Sequence, residues 1–238
     1  MKTTFVIPTY NEAENIPKLV KAVLELPVTV NLLIVDDNSP DGSGDLAEQL
    51  KKEHPDRIQV LHRKGKLGLG SAYIQGFRQA MAEGADFVGQ MDADFSHPIE
   101  KIPVLMNTLE CCDFVIGSRY ISGGKLDDNW PFWRKWLSGF GNFYARTILG
   151  LKIKDVTGGF RLWRKETLSA MPLERVKSNG YIFQVEMAYL ATRLGFKIRE
   201  IPIHFAEREF GQSKMNLRIQ VEAALRVWQL RSRYHHLH

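Results

Sequence analysis

The chain has 238 residues, of which 44% are hydrophobic and 25% charged, enough to bury a full core as one domain or two small ones. Its formal charge of +5 suits an anionic partner such as a nucleotide, a phospholipid surface or nucleic acid, and selects none of them. No stretch approaches the roughly 20 apolar residues that span a bilayer. Pro8, Asn11 and Glu12 interrupt the first apolar run, unlike a secretory segment. The adjacent Cys111 and Cys112 match neither a disulfide framework nor a zinc pattern, and read as buried reduced thiols of a cytosolic protein.

Residues 4–7 predict a short buried strand. Asn11 is placed to cap a helix with Ile16, Leu19, Val20 and Val23 on one face. A second strand over residues 30–35 ends at Asp36-Asp37, and Asp41-Gly42-Ser43 turns into a helix with Leu46 and Leu50 inward. Residues 58–61 form a third strand, and a glycine-rich connection over 65–70 leads to a helix containing Ile74 and Phe77. Residues 87–91 form the fourth strand, Pro98 opens another helix, and 114–116 form the fifth strand. Strands alternate with helices through this half, which predicts a Rossmann-like, mostly parallel sheet covered on both faces. The second half is less regular. Helices are predicted over 130–149, 182–194 and 213–234, with strands over 160–163 and 197–203.

Asp92-Ala93-Asp94 follows the fourth strand. Carboxylates at i and i+2 in extended backbone project to one side, and at a strand's C-terminal end they face the ligand crevice of an open α/β sheet. Oxygen ligands placed there suit Mg²⁺ or Mn²⁺ bridging to a diphosphate. A solvated turn would give the same triplet, and turn chemistry equally describes Asp36-Asp37-Asn38-Ser39-Pro40-Asp41-Gly42. The basic stretch from His62 to Ser71 precedes a helix N-terminus, which attracts anions. It lacks the Walker pattern and follows the third strand rather than the first, against a dinucleotide fingerprint.

Four motifs occur in one order: Val6-Ile7-Pro8-Thr9-Tyr10-Asn11-Glu12, Val35-Asp36-Asp37-Asn38-Ser39-Pro40-Asp41-Gly42, Gly68-Leu69-Gly70 and Asp92-Ala93-Asp94. This order resembles the inverting family 2 glycosyltransferases with a GT-A fold. Gly117-Ser118-Arg119-Tyr120, the segment from Asp155 to Arg161 and that from Arg208 to Lys214 narrow the resemblance to the dolichyl-phosphate (polyprenyl-phosphate) mannose synthases, over almost the whole chain. The resemblance implies that Pro8, Tyr10, Glu12, Val35 and Asp37 hold the nucleotide base and ribose. It implies that Asp92, Ala93 and Asp94 bind metal and donor diphosphate, with Asp92 and Asp94 as the metal ligands. Arg119, Arg208 and Lys214 would surround the donor phosphates and transferring centre, and Arg119, Arg134, Ser138 and Arg208 the acceptor phosphate. Asp94, Arg119 and Arg208 are the candidate catalytic residues. Ser96 stands where some relatives place a glutamine near the metal, which leaves the choice of Mg²⁺ or Mn²⁺ open.

The implied reaction moves mannose from GDP-mannose to a dolichyl or polyprenyl phosphate with inversion. UDP-glucose as donor, and a non-catalytic nucleotide-sugar-binding subunit, are the alternatives. The chain lacks the Gln-x-x-Arg-Trp motif of processive synthases. A lipid monophosphate, with a second pKa of roughly 6, needs no general base. Trp130, Trp133 and Trp136 beside Arg134 and Lys135 suit a membrane interface or a lid over the acceptor, and any one of them alone would suit core packing. Leu217, Val221, Ala224, Leu225 and Trp228 recur at helical spacing beside Arg218, Arg226, Arg231 and Arg233, as in an interfacial helix or one packed on the domain. His235, His236 and His238 read as a disordered tail rather than a metal site. The expected organisation is a catalytic domain over 1–210 and a C-terminal helix and tail over 211–238. The expected protein is a peripheral enzyme on the cytoplasmic face of a membrane, without nucleic-acid partners, to which a separate membrane subunit could add an anchor.

Overall fold

The computed structural model describes residues 1–206 and 217–236, and no side chains within 217–223. The first half runs β1 (Thr3–Thr9), α1 (Ile16–Leu24), β2 (Asn31–Asp36), α2 (Ser43–Glu53), β3 (Ile58–His62), α3 (Leu69–Ala82), β4 (Phe87–Gln90), α4 (Ile102–Leu109) and β5 (Phe114–Ser118). The second half runs β6 (Lys125–Leu126), α5 (Phe132–Leu149), β7 (Arg161–Arg164), α6 (Lys165–Ala170), α7 (Tyr181–Arg193), β8 (Ile198–Pro202), β9 (His204–Phe205) and α8 (Leu217–Tyr234).

Among the described residues the strands build a seven-stranded sheet in the order β3-β2-β1-β4-β7-β5-β8, and β6 pairs with β9 beside it. All pairings in the large sheet are parallel except those of β7, which runs antiparallel between β4 and β5. The near-continuous apolar strands are what a sheet buried on both faces requires. One face packs Tyr73 and Phe77 of α3 with Phe183 of α7 and Val227, Leu230 and Tyr234 of α8. The other packs Ile16, Leu19 and Val20 of α1 with Ile102 and Leu105 of α4. At β7 the Trp163 ring stacks on Phe114, their centroids 3.4 Å apart.

Several expectations change in detail. Asn11 caps nothing: it has φ of 60° and α1 starts five residues later, with no side-chain cap at Asn15. The buried face of α2 is Ser43, Gly44 and Ala47, while Leu46 and Leu50 are half-buried, Leu50 packing against the core. Cys111 is exposed and only Cys112 is buried. The direction of β7 was not legible, since four apolar-basic residues carry no sign of parallel or antiparallel pairing. Of the two readings of α8 both hold in part: Val227, Leu230 and Tyr234 pack inward, while Leu225 and Trp228 are exposed, with Trp228 Nε1 donating to Tyr144 Oη of α5. The side chains of Leu217, Arg218 and Val221, together with His238, lie outside the described residues. His235 is tied down, its carbonyl accepting a hydrogen bond from Arg193 Nη2 at 2.7 Å.

Candidate active site

Strands β2, β1 and β4 are parallel neighbours, so the loops leaving their C-terminal ends share one crevice. These three loops hold the non-glycine residues with left-handed backbone among those described: Asn11 (φ 60°), Asn38 (58°) and Phe95 (59°). Asparagine visits this region readily, and phenylalanine does not. Such strain costs of order 1–3 kcal/mol and clusters where a loop must present particular groups.

The loops after β1 and β2 are stitched together. Asn11 N donates to Ser39 Oγ, Glu12 N to Ser43 Oγ and Ala13 N to Asp41 Oδ2. The Glu12 carboxylate accepts from Asn15 Nδ2 at 2.6 Å. Tyr10 is half-buried, with the Lys66 ammonium 3.9 Å above its ring. Pro8 sits opposite Val35 in the β1–β2 register. The Val35 side chain is fully buried in the α3-facing core, so any ligand contact from this position falls to its backbone.

The acidic pair at the end of β2 divides its work. Asp36 accepts from Ser39 Oγ at 2.5 Å and from Ser39 N, and so closes its own turn. A Cβ on Gly44 would lie 2.8 Å from Asp36 Oδ2, so glycine there lets α2 start close to that turn. Asp37 is held by Arg63, whose Nη1 lies 2.5 Å from Asp37 Oδ1, while Arg63 Nη2 donates to Ser71 Oγ in the first turn of α3. Burial pushes the Asp37 carboxyl above its ordinary value, against the lowering effect of Arg63. This buried arginine ties the glycine-rich connection to the carboxylate, a role that its place in a basic run did not reveal.

Asp92 and Asp94 leave β4 as expected. Asp92 Oδ1 accepts from Tyr73 Oη at 3.2 Å, and its backbone N donates to His97 Nδ1. Asp94 is buried, and its Oδ1 accepts from Ser96 Oγ at 2.6 Å and Ser96 N at 3.1 Å. Ser96, standing at the glutamine position, thus orients the second aspartate. Ala93 between them is buried as Asp94 is, for β4 ends at Gln90 and the triplet enters a bend over 93–95 rather than continuing as the expected extended backbone. The His97 ring lies against Phe160 and Phe205. Among the described residues no cluster of three or more His, Cys, Asp or Glu exists that could hold a metal by itself. Two carboxylates with hard oxygen donors fit a divalent cation that takes the rest of its ligands from a diphosphate and water.

Arg119 follows β5. Its Nε and Nη2 donate to the two oxygens of Asp155 at 2.7 and 2.8 Å, and Nη2 also reaches Thr157 Oγ1. Asp155 is fully buried and its own backbone N–H donates to Glu200. Burial alone would raise the Asp155 carboxyl, but the charge and hydrogen bonds of Arg119 reverse this and hold it below its ordinary range. Arg161, also fully buried, gives its guanidinium to the carbonyls of Gly158, Gln184 and Val156. Burial lowers its pKa to about 9, against the raising effect of Asp155, so it stays charged at neutral pH.

A cavity of about 340 Å³ opens beside Arg119. Its polar lining includes Arg119, Thr157, Arg134 and Ser138, the last accepting or donating at 2.7 Å to Tyr120 Oη. Its remaining lining is mostly apolar and comes from α5, α7 and α8 with Trp130, Phe205 and Ala206. The Arg134 guanidinium stacks 3.7 Å over the buried Trp130 ring. Phe132, Trp133, Trp136 and Phe143 of α5 are exposed, as are Leu225 and Trp228 of α8, which packs against α5. Thus Trp130 belongs to the cavity wall and the two later tryptophans to the surface. Arg208 and Lys214 lie outside the described residues. Asp155, Thr157 and Arg63 complete the site and were not singled out from the sequence as site residues. The signal for Asp155 was present, since it opens the segment ending at Arg161.

A profile of the family described as Glycosyl transferase family 2 matches residues 4–171. An undecaprenyl-phosphate mannosyltransferase of Micrococcus luteus is 45% identical over 236 residues, covering 98% of this chain and 96% of that protein. A polyprenol monophosphomannose synthase of Mycolicibacterium smegmatis is 43% identical over 235 residues, covering 98% and 88%. Among solved structures, glucosyl-3-phosphoglycerate synthase from Mycobacterium tuberculosis, with Mn²⁺, UDP and glucosyl-3-phosphoglycerate, superposes with a TM-score of 0.67 at 18% identity, over 98% of this chain and 80% of that one. A mannosyltransferase from Pyrobaculum calidifontis with GDP-Man and Mn²⁺ gives 0.65 at 16% identity, over 98% and 64%. The fold is GT-A, and the chain belongs to the family 2 glycosyltransferases.

Proposed function

We propose that this protein transfers mannose from GDP-mannose to a polyprenyl phosphate with inversion, releasing GDP. The cavity beside Arg119 carries this reading, because it joins phosphate-binding groups to an apolar wall, as a phosphate-headed lipid requires. The near full-length similarity to two polyprenyl-phosphate mannosyltransferases supports it.

Pro8, Tyr10, Glu12 and Asp37 would hold base and ribose, and Asp92 and Asp94 a divalent cation. Bound there, Mg²⁺ or Mn²⁺ neutralises the charge that develops on the departing diphosphate. Arg119, whose Nε and Nη2 are held by Asp155 and Thr157, would offer its remaining Nη1 to the acceptor phosphate, and Arg134, with Ser138, would help orient it. The sequence resemblance would add Arg208 and Lys214, which lie outside the described residues, to the donor phosphates. The acceptor oxygen forms its bond to the anomeric carbon as the bond to the diphosphate breaks on the opposite side. The phosphate is already anionic, so no side chain removes a proton.

The exposed aromatics of α5 and α8, with Lys135 and Arg231 nearby in sequence, would set the protein on an anionic bilayer where the lipid acceptor resides. Among the described residues no helix is long and apolar enough to cross a membrane.

Purified protein with Mg²⁺ or Mn²⁺, radiolabelled GDP-mannose and a short polyprenyl phosphate should move label into organic solvent. Asp94→Asn should lose at least roughly a hundredfold of that rate while melting cooperatively. Transfer from UDP-glucose in place of GDP-mannose would refute the donor, and nucleotide binding without transfer from either would refute the activity.

A further inference from the structure

Tyr73 sits in the first half of α3, and its side chain is fully buried. α3 lies close on β1 because position 76 is glycine: a Cβ there would meet Val6 Cγ1 at 2.3 Å. The Tyr73 ring stacks on Phe183 of α7 with centroids 5.7 Å apart and planes 4° from parallel, and on Phe77 at 5.8 Å. A phenylalanine would make the same ring contacts. The hydroxyl is what tyrosine adds, and a buried hydroxyl left unpaired carries a desolvation cost. Its hydrogen bond goes to Asp92 Oδ1 at 3.2 Å, on the first carboxylate of the Asp92-Ala93-Asp94 triplet.

We infer that Tyr73 is a positioning residue for the metal and diphosphate site: its O–H holds Asp92 in one rotamer before the cation arrives. The inference rests on Asp92 being a ligand of that site. Asp92 is half-buried and lies two residues past the end of the four-residue strand β4, where no ladder hydrogen bonds set its direction. Ser96 supplies the corresponding restraint for Asp94 from two residues away. For Asp92 a restraint comes from α3, the helix that begins at the glycine-rich connection. Partners one step behind a metal ligand fix its orientation, and their loss weakens metal binding by roughly ten- to hundredfold.

The test is Mn²⁺ binding in the presence of GDP, followed by electron paramagnetic resonance, with GDP binding in the absence of metal measured calorimetrically. Tyr73→Phe keeps the stack and removes the hydroxyl. The expected result is metal-free GDP affinity within twofold of the parent and Mn²⁺ affinity weaker by roughly ten- to hundredfold. Mn²⁺ affinity within twofold of the parent would overturn the inference. So would an equal loss of metal-free GDP binding together with a lowered melting temperature, which is the signature of a packing role alone. Asp92→Asn is measured in parallel. If it binds Mn²⁺ and GDP like the parent, Asp92 is not a ligand and both the site assignment and this inference fall. If it loses Mn²⁺ while Tyr73→Phe does not, the inference alone falls.

Discussion

Replacing Asp155 with asparagine should destabilise the fold and disable transfer together. Asp155 accepts hydrogen bonds from Arg119 N, Nε and Nη2, from Thr157 Oγ1 and from Gly158 N. Asparagine keeps one acceptor oxygen, turns an amide toward the donors of Arg119 and leaves that buried guanidinium without its counter-charge. Arg161, another buried cation, is close enough to lower the Asp155 carboxyl and so adds to the imbalance. Removing one partner of a buried ion pair costs about 3–5 kcal/mol. For a chain of this size that is a fall of about 6–20 °C in melting temperature. Urea denaturation of parent and variant at matched pH measures the difference directly. Its pH dependence is fixed in sign. The folded Asp155 carboxyl lies below its ordinary 3.8, so its contribution is complete above that pH and drains away as pH falls through the folded value. The gap between parent and variant should therefore be constant from neutral pH down to about 5 and close only in stronger acid. A loss under about 1 kcal/mol, or a gap indifferent to acid, would refute the view that this pair fixes Arg119. A double variant, Arg119→Met with Asp155→Leu, should recover much of the stability and none of the transfer.

Gly70→Ala should cost about 1–3 kcal/mol, because a Cβ there would lie 2.2 Å from the Ser178 carbonyl oxygen and backbone must move; an unchanged melting temperature would contradict that close approach. Trp133→Ala and Trp136→Ala should each weaken sedimentation with anionic vesicles roughly tenfold while leaving transfer to a short, detergent-dispersed acceptor nearly intact, and unchanged vesicle binding would remove α5 from the membrane interface. The rate at subsaturating acceptor should rise with pH through about 6 and then level, following the second ionisation of the lipid phosphate. An acceptor analogue with a shifted phosphate pKa should move that inflection; an inflection that stays put would indicate a titrating enzyme group.

The sequence by itself determined the alternation of strands and helices, the carboxylates at the ends of β2 and β4, and the family, because these depend on short-range periodicity and on motifs local in the chain. The resemblance singled out Asp37 over Asp36, but periodicity gave no physical reason for it, since both close the same strand; the difference is that Ser39 takes one and Arg63, 26 residues away, takes the other. It did not reveal β7 as antiparallel, because strand direction follows from where α5 delivers the chain and not from Arg161-Leu162-Trp163-Arg164. It grouped Trp130, Trp133 and Trp136, which the helix then divided: Trp130 walls the cavity while the other two face outward. It left α8 as either an interfacial helix or one packed on the domain; the structure buries Val227, Leu230 and Tyr234 and leaves Leu225 and Trp228 exposed, and packing alone decides which stripe is buried. Arg119 was legible as a residue, but Asp155, which holds it, comes 36 residues later, and Tyr73 meets Asp92 across 19. A hydrogen bond between distant positions leaves no periodic trace in a single sequence, so the partners that orient each functional group became visible only once the sheet had brought them together.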